Sequence, residues 1–405
     1  MTFRPLVTLL ACAAATLSAP ALAEAPAAKP IFTTLAVSPI FPPRPFKGAD
    51  GLTHLAYELS IVNMTSLVVE VDTLSVLDAA SGEELASWSG DRFKAMFRLN
   101  GRDPASNFAP AESGLFFVDV GLPAGKAPPR ALAHRLSTTR KMKAPGTDPH
   151  KGRPLEPAIA IPEKITFTTS AMPVDRRPAI RLAAPLRGAG WVVGNGCCDS
   201  VTSHRGAAMA FNGKVEVPER FAIDFVQIGS NGAFFEGPED KLESYRYYGV
   251  PVHAAAPGKV VGIVDDMPEG VPGKTPAGVT TDNAAGNHVV VDMGKGNYAL
   301  YAHLKTGSVT VKPGQRVATG QVLGLLGNTG NSDAPHLHFH VMNGPSPLGS
   351  QGLPYVFDRF AGQGRADLDD EGAMHGKPVK VDPSWNAGPK ADALPLNNEV
   401  VDFGQ

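Results

Sequence analysis

Three histidines stand at alternate positions in the segment 327–340, which reads GNTGNSDAPHLHFH. In a β-strand such residues share one face, so His336, His338 and His340 would project together while the apolar residues between them enter the core. Three imidazoles pack poorly in a core, whereas neutral imidazole is a good zinc ligand. The segment therefore predicts a metal-binding strand. A solvated row of histidines on an edge strand is the alternative.

Two further residues carry groups suited to the same site. Asp224 lies between Ile223 and Phe225, and a carboxylate in an apolar strand is costly unless it is paired or bound to a metal. His303 follows Tyr301-Ala302 at the end of a predicted strand. Aspartate with several histidines is the ligand set of a hydrolytic zinc site. A capping or salt-bridging role for Asp224 and a surface position for His303 are the alternatives.

Short strands and tight turns must position these groups. Asn212-Gly213, between Ala207–Phe211 and Lys214–Val217, is a strong hairpin signal, and a second turn is predicted at Met293–Asn297. Seven of the 11 histidines fall between residues 185 and 345. Further strands are predicted at Val260–Val264, His288–Met293, Tyr298–His303 and Leu337–Met342.

The preceding part of the chain, from about residue 31 to 175, predicts a β-sandwich-like domain. Leu55–Ile61 alternates apolar and more polar residues, and Val69–Val76 continues this pattern with a one-residue slip. Lys126–Pro162, rich in Pro, Lys and Arg, predicts a long loop. Turn residues separate the runs, as in a small sandwich. Leu115–Val120 and Ile165–Thr169 are two more predicted strands, and surface or packing roles are expected for His54, His134 and His150.

Composition excludes some functions. The 405 residues carry a net charge of −2, so a nucleic-acid-binding role, which needs a basic surplus or patch, is not expected. The N-terminus predicts an export signal: Arg4 precedes the apolar stretch Leu6–Leu17 and the small-x-small site Ala21-Leu22-Ala23. The mature chain would begin near Glu24, in the periplasm or outside the cell, without a later transmembrane segment. A retained anchor and lipidation at Cys12 are the alternatives.

Removal of the signal would leave only two cysteines, the adjacent Cys197 and Cys198. Two neighbouring cysteines cannot form a disulfide framework, even in an oxidising compartment. A vicinal disulfide and two free thiols in a glycine-flanked turn both remain open.

An ordered set of motifs runs over roughly 185–345. The motifs are Pro251-Val-His-Ala254, Gly286-Asn-His-Val289, Tyr301-Ala-His-Leu304, Gly320-Gln-x-Leu-Gly324 and Gly327-Asn-Thr-Gly330 leading to His336-Leu-His338. This set resembles the M23 family of zinc metallopeptidases, the lysostaphin or LytM type.

The resemblance implies a small antiparallel β domain with an open groove that cuts peptide bonds in peptidoglycan. It implies that Asp224 and His338 bind zinc and that His303 and His336 are catalytic without binding it. It also makes His340, Asn287 and Tyr301 candidates for substrate binding.

One position departs from the family pattern. The family's first ligand is a histidine four residues before the aspartate, and here that position is Arg220. A guanidinium has no lone pair to give a metal. His204 is the leading substitute, although ideal pairing across the Asn212-Gly213 hairpin would place it opposite Phe221, out of phase with Asp224, unless a bulge near Pro218 intervenes. His340 as the ligand and the absence of any third ligand are the other two possibilities.

The sequence thus predicts a mainly β protein of four parts: a signal peptide at 1–23, a sandwich-like domain at 24–180, an antiparallel-β M23-type peptidase domain at 185–345 and a tail packed on it at 346–405. The predicted function is that of an exported zinc endopeptidase acting on peptidoglycan. The alternative is a degenerate M23-type domain that binds or regulates cell wall, and Arg220 is the residue that favours it.

Overall fold

Strands supply almost all of the regular structure in the described part of the chain. The computed structural model describes residues 30–101, 103–141, 162–368, 372 and 375–405, so the predicted signal segment, Cys12 and His150 lie outside the described residues. The elements of the first part are β1 Leu35–Pro39, β2 Phe46–Lys47, β3 Thr53–Asn63, β4 Val68–Asp78, β5 Glu84–Trp88, α1 Gly90–Ala95, β6 Phe97–Leu99, β7 Asn107–Phe108, β8 Ser113–Leu122, β9 Ala131–Lys141, β10 Lys164–Thr168 and β11 Met172–Pro173.

These elements form two antiparallel sheets that share one apolar core, which is a sandwich. One sheet has the order β1-β3-β8-β6 and the other β10-β9-β4-β5. Leu55 and Leu59 of β3 meet Leu74 of β4 in the common core. The one-residue slip of the apolar pattern corresponds to a register shift between Val71 and Thr73, where β4 pairs with β9. A bulge moves the side chains that follow it to the other face of the strand. Because the apolar pattern slips by one residue at the same place, the apolar side chains on both sides of the bulge point inward.

The predicted loop at Lys126–Pro162 is wrong in its first part. Residues 131–141 form β9, which pairs with β4 along its whole length. Its inward face carries Leu132, Leu136 and also polar groups, and this polar content hid the strand from apolar periodicity. His134, for example, is 2% exposed and lies 2.7 Å through Nε2 from the Tyr57 hydroxyl. Residues 142–161 lie outside the described residues.

The second part of the chain builds a large sheet with the order β12-β24-β27-β13-β16-β23-β20-β19-β18-β21. Its elements are β12 Ile180–Leu182, β13 Trp191–Gly194, α2 Ser203–Gly206, β14 Met209–Phe211, β15 Lys214–Glu216, β16 Ile223–Gln227, a 3₁₀ turn Leu242–Ser244, β17 Pro251–His253, β18 Gly258–Val264, β19 His288–Gly294, β20 Asn297–Ala302, β21 Arg316–Val317, β22 Val322–Leu325, β23 Leu337–Met342, β24 Tyr355–Asp367, β25 Lys380–Asp382, β26 Gly388–Ala393 and β27 Glu399–Asp402.

The strands predicted in this region are present, and both predicted hairpin turns form. Asn212 and Gly213 adopt the positive φ angles of 51° and 75° that such a turn requires, and Lys295 and Gly296 do the same between β19 and β20. The last fifty residues are more than a covering tail, because β24 and β27 are strands of the large sheet and β27 pairs with β13.

The described residues from 33 to 405 belong to one compact unit, in which the sandwich packs directly against the large sheet. Strand β3 is buried on both faces. Leu55 and Leu59 face the sandwich core, whereas Ala56 joins the core of the large sheet and Glu58, on the same face, is fully buried. Across the described residues, no helix is long and apolar enough to cross a membrane.

Candidate metal centre and groove

Two neighbouring strands bring Asp224 and His338 together. In the antiparallel pair of β16 and β23, Asp224 stands opposite His338 and Phe225 opposite Leu337. Phe225 and Leu337 are fully buried in the core, so the alternation of side chains sends Asp224 and His338 to the other face. There, His338 Nδ1 lies 3.0 Å from Asp224 Oδ1.

His204 reaches the same carboxylate from a short helix. Thr202 caps α2 by accepting a hydrogen bond from the Arg205 backbone N–H, and His204 Nε2 lies 3.1 Å from Asp224 Oδ2. The expectation that His204 sits on a hairpin strand is wrong, because the hairpin includes only Met209–Phe211 and Lys214–Glu216. His204 therefore reaches Asp224 without the bulge that its pairing on a strand would have required.

These three residues form a donor set that fits a metal ion. The ligand atoms of His204, Asp224 and His338 all lie within 4.8 Å of one another. His204 Nδ1 donates to the carbonyl oxygen of Ala222 at 3.2 Å, so Nε2, the atom that faces Asp224, is the one that would offer a lone pair to a metal. Two imidazole lone pairs and one carboxylate match the protein ligands of a catalytic zinc site, which keeps a further position open.

His303 and His336 flank this donor set, with their ring centroids 4.6 Å apart. His303 Nδ1 donates to the Thr329 carbonyl at 2.7 Å, and His336 Nδ1 donates to the Ala334 carbonyl at 2.8 Å. His303 therefore keeps Nε2 as the atom free to accept a proton, whereas His336 Nε2 lies 3.4 Å from Asp224 Oδ1, which can only accept a hydrogen bond. His303 follows β20 in the left-handed region, with φ of 58°, a backbone strain of roughly 1–3 kcal/mol that is concentrated at functional sites.

Burial and the neighbouring charges set the protonation of these groups. Burial raises the pKa of the Asp224 carboxyl, but His204 and His336 outweigh it, so the pKa lies well below its usual value and the group is ionised. Burial, together with His336 and His338, holds the pKa of His303 well below its usual value, so this ring is neutral. Burial lowers the pKa of His336, and Asp224 more than offsets it, so the net shift is upwards.

Arg220 does not enter the site. Its guanidinium is 2% exposed and forms a buried ion pair with Glu58 of β3, with Nε 2.9 and 2.8 Å from the two carboxylate oxygens. The remaining donors bind the Gly352 carbonyl and the Gln351 side chain. Arg220 therefore points away from the groove, and a carboxylate 162 positions away in the sequence holds it.

An open groove runs past the donor set. Two cavities of about 560 and 770 Å³ both include Asp224, His336 and Asn195 in their walls. The larger one is also lined by His303 and His338, and the smaller one by a group of aromatic residues. A ligand in the groove would therefore pass over the donor set with space on both sides. The aromatic residues are Phe234, Phe235, Tyr245 and Tyr247.

The remaining predicted residues lie deeper. Asn287 and Tyr301 are fully buried, and their polar side-chain atoms bind the backbone of Met267 and Ala255 respectively. Among the described residues neither lines the two cavities, so substrate binding by them stays a prediction. His340 is also fully buried, at the floor of the larger cavity and against His338. Cys197 and Cys198 are joined by a disulfide in the loop that leads to α2.

Asn195 is a site residue that the sequence reasoning missed. Its side-chain amide donates to Asp224 Oδ2 at 2.9 Å, from a backbone with φ of 54°. The available signal was the run Gly194-Asn195-Gly196, because asparagine between glycines favours a left-handed turn.

A family of known proteins matches a segment that carries part of this site. The model of a family described as "Peptidase family M23" matches residues 244–349. These residues are an M23 peptidase domain. The match includes His303, His336 and His338, whereas His204 and Asp224 precede it along the chain, so the donor set is completed by residues outside the matched segment.

Several characterised relatives resemble parts of the chain. Peptidoglycan DD-endopeptidase ShyA of Vibrio cholerae is 45% identical over 58 residues, 14% of this chain and 13% of the relative. Glycyl-glycine endopeptidase ALE-1 of Staphylococcus capitis is 32% identical over 138 residues, 34% of this chain and 32% of the relative. Lysostaphin of Staphylococcus simulans is 31% identical over 140 residues, 34% of this chain and 24% of the relative. The aligned part thus spans at most about a third of these relatives.

Proposed function

We propose that the protein is an exported, zinc-dependent endopeptidase that cuts peptide bonds in peptidoglycan. The observation that carries the proposal is the convergence of His204, Asp224 and His338 in an open groove, beside two histidines suited to proton transfer. Of these, His303 has a free Nε2 and His336 is paired through Nε2 with Asp224. The M23 domain at residues 244–349 supports peptide hydrolysis. Zinc is the cation that two imidazoles and a carboxylate favour at a hydrolytic site.

Each residue has a separate task in this proposal. His204 Nε2, an oxygen of Asp224 and His338 Nδ1 would hold the ion, and a zinc ion there would supply a Lewis acid and lower the pKa of a bound water. The neutral His303 would accept a proton from the attacking water at Nε2 and return it to the nitrogen of the leaving amine. His336, whose pKa Asp224 raises and whose Nε2 lies 3.4 Å from Asp224 Oδ1, would donate a hydrogen bond to the tetrahedral oxyanion.

The proposed substrate rests on the relatives. ShyA carries the name of a peptidoglycan DD-endopeptidase, and ALE-1 that of a glycyl-glycine endopeptidase. The predicted signal at Arg4–Ala23 would deliver this chain to the same compartment as the wall. The substrate class is therefore a peptide of peptidoglycan.

The second candidate, a degenerate module that only binds cell wall, depended on Arg220. A guanidinium between Asp224 and His338 would have replaced the cation by a fixed charge. Arg220 pairs with Glu58 instead, so the described residues offer no reason for this guanidinium to occupy the place of the metal.

Two measurements on the purified full chain test the proposal: bound zinc by elemental analysis and release of soluble fragments from purified peptidoglycan. About one zinc per chain and fragment release that a chelator abolishes are expected. Asp224→Ala should lose both. His253→Ala is the matched control, because His253 lies outside the groove and binds the Gly320 carbonyl. Zinc binding without hydrolysis would favour the binding module, and no zinc binding under zinc-replete conditions would refute the proposal.

A further inference from the structure

His340 is the third histidine of the strand, and its task differs from that of the other two. It is fully buried and lies across the sheet from Leu300. Its Nδ1 is 2.9 Å from Nε2 of His338, with the two rings nearly perpendicular at 85°. His340 is thus a direct hydrogen-bond partner of a proposed metal ligand, on the side of the ring opposite to Asp224.

The two nitrogens of His338 must play different parts if the ring binds a cation. Nδ1 faces Asp224, so Nδ1 must carry the lone pair and Nε2 the proton. A proton on Nε2 needs an acceptor. His340 Nδ1 is at 2.9 Å, whereas Glu219 Oε1 is 3.8 Å away and too far for a hydrogen bond.

The other three histidines of the site are fixed in a different way. His204, His303 and His336 each direct Nδ1 to a backbone carbonyl, which can only accept, and so the backbone dictates their tautomer. The partner of His338 is an imidazole, which can accept or donate. The tautomer of His338 therefore depends on that of His340.

We propose that His340 is a positioning residue: its Nδ1 accepts the Nε2–H of His338 and thereby holds the His338 lone pair on Nδ1, toward the metal. The inference rests on the proposed function, because it concerns the same metal centre. It predicts that His340 carries its own proton on Nε2. That atom is buried and has no hydrogen-bond partner among the described residues. A buried N–H without an acceptor lowers the stability of the fold. The tautomer of His340 therefore favours metal binding by His338 at a cost in folding stability.

Two substitutions separate positioning from packing. His340→Leu removes the acceptor and introduces an apolar side chain, which suits the apolar neighbours Leu300 and Met342. His340→Asn restores an acceptor, because the side-chain oxygen of asparagine falls close to the position of Nδ1. If His340 only fills space, the leucine variant should keep its zinc affinity better than the asparagine variant. If His340 positions His338, the asparagine variant should bind zinc more tightly than the leucine variant.

The test is a zinc titration of the full chain against a chromophoric chelator. His340→Leu should weaken zinc binding about 10–100-fold, as is usual for the loss of a partner of a metal-bound histidine, while its resistance to urea stays equal or rises. His340→Asn should bind within a few-fold of wild type. Equal affinity of the leucine variant and wild type would overturn the inference. Equal loss in both variants would make His340 itself a ligand, which also overturns it.

Nitrogen-15 NMR of the imidazoles in the zinc-loaded wild type decides the matter even if a variant does not fold. Protons on Nε2 of both His338 and His340 are expected. A proton on Nδ1 of His340 would refute the positioning role while leaving the proposed function intact. Failure of wild type to bind zinc would instead refute the proposed function.

Discussion

The ion pair between Glu58 and Arg220 joins strand β3 of the sandwich to the segment just before β16 of the large sheet, and its loss should lower the free energy of unfolding substantially. Both side chains are almost completely buried, at 0% and 2% exposure. The substitution Glu58→Gln removes the negative charge and leaves the guanidinium with only neutral acceptors, the Gly352 carbonyl and Gln351. An unpaired buried charge costs about 3–5 kcal/mol. Against a typical free energy of unfolding of about 5–15 kcal/mol, this loss is large.

Urea unfolding, followed by the fluorescence of the buried Trp191, measures the effect. The matched control is Glu83→Gln, which breaks a surface pair with Lys126 whose side chains are 56% and 33% exposed, and should cost less than about 1 kcal/mol. The double variant Glu58→Leu with Arg220→Met removes both charges and should lie within about 1–2 kcal/mol of wild type. If Glu58→Gln unfolds at the same urea concentration as the control, the two side chains are not a buried pair in solution.

Four further predictions follow from the site and its surroundings. His303→Ala and His336→Ala should each retain zinc and slow hydrolysis by about 10²–10⁴, the range for loss of general acid–base help; loss of zinc from His336→Ala would mean that His336 and His338 have exchanged roles. Arg220→His, which introduces the histidine that the resemblance implies at this position, should not raise zinc affinity, because position 220 faces Glu58; a tighter complex in a chelator titration would contradict this. Burial lowers the pKa of His54, but Asp119 and Asp50 raise it from 6.5 to about 10, so the protonated ring stabilises the fold below about pH 6.5 and this contribution is lost as the pH rises through 10. His54→Asn should therefore cost more stability at pH 6 than at pH 10, and equal losses in urea titrations would show that charge is not the cause. N-terminal sequencing of the exported protein should give a start near Glu24, and a lipidated start at Cys12 would contradict the predicted cleavage.

The sequence was informative where a local pattern decides the structure. Alternation at His336–His340 predicted which side chains share a face, because the period of a strand is fixed by its backbone. The Asn212-Gly213 turn forms because both residues tolerate positive φ. The one-residue slip in the apolar pattern of Val69–Val76 coincides with the register shift between Val71 and Thr73. Each of these features depends on a few consecutive residues.

Long-range contacts could not be read in the same way. Glu58 and Arg220 are 162 positions apart, and no short pattern in the sequence pairs them. His204 was expected on a strand, because the hairpin signal gives a turn but does not say where the strands end. The strand β9 was missed since its buried face holds polar side chains whose partners, such as Tyr57 for His134, lie on another sheet. Tertiary contacts decide all three.

The most direct test of the proposed zinc centre is the anomalous difference density at the zinc absorption edge in a crystal of the zinc-loaded full chain. One strong peak is expected, about 2.0–2.2 Å from His204 Nε2, an Asp224 oxygen and His338 Nδ1, with His303 and His336 outside bonding distance. No peak at this cluster, or a peak bonded to Asp224 and His338 while His204 points elsewhere, would contradict the assignment of His204 as the ligand that replaces the missing histidine at position 220.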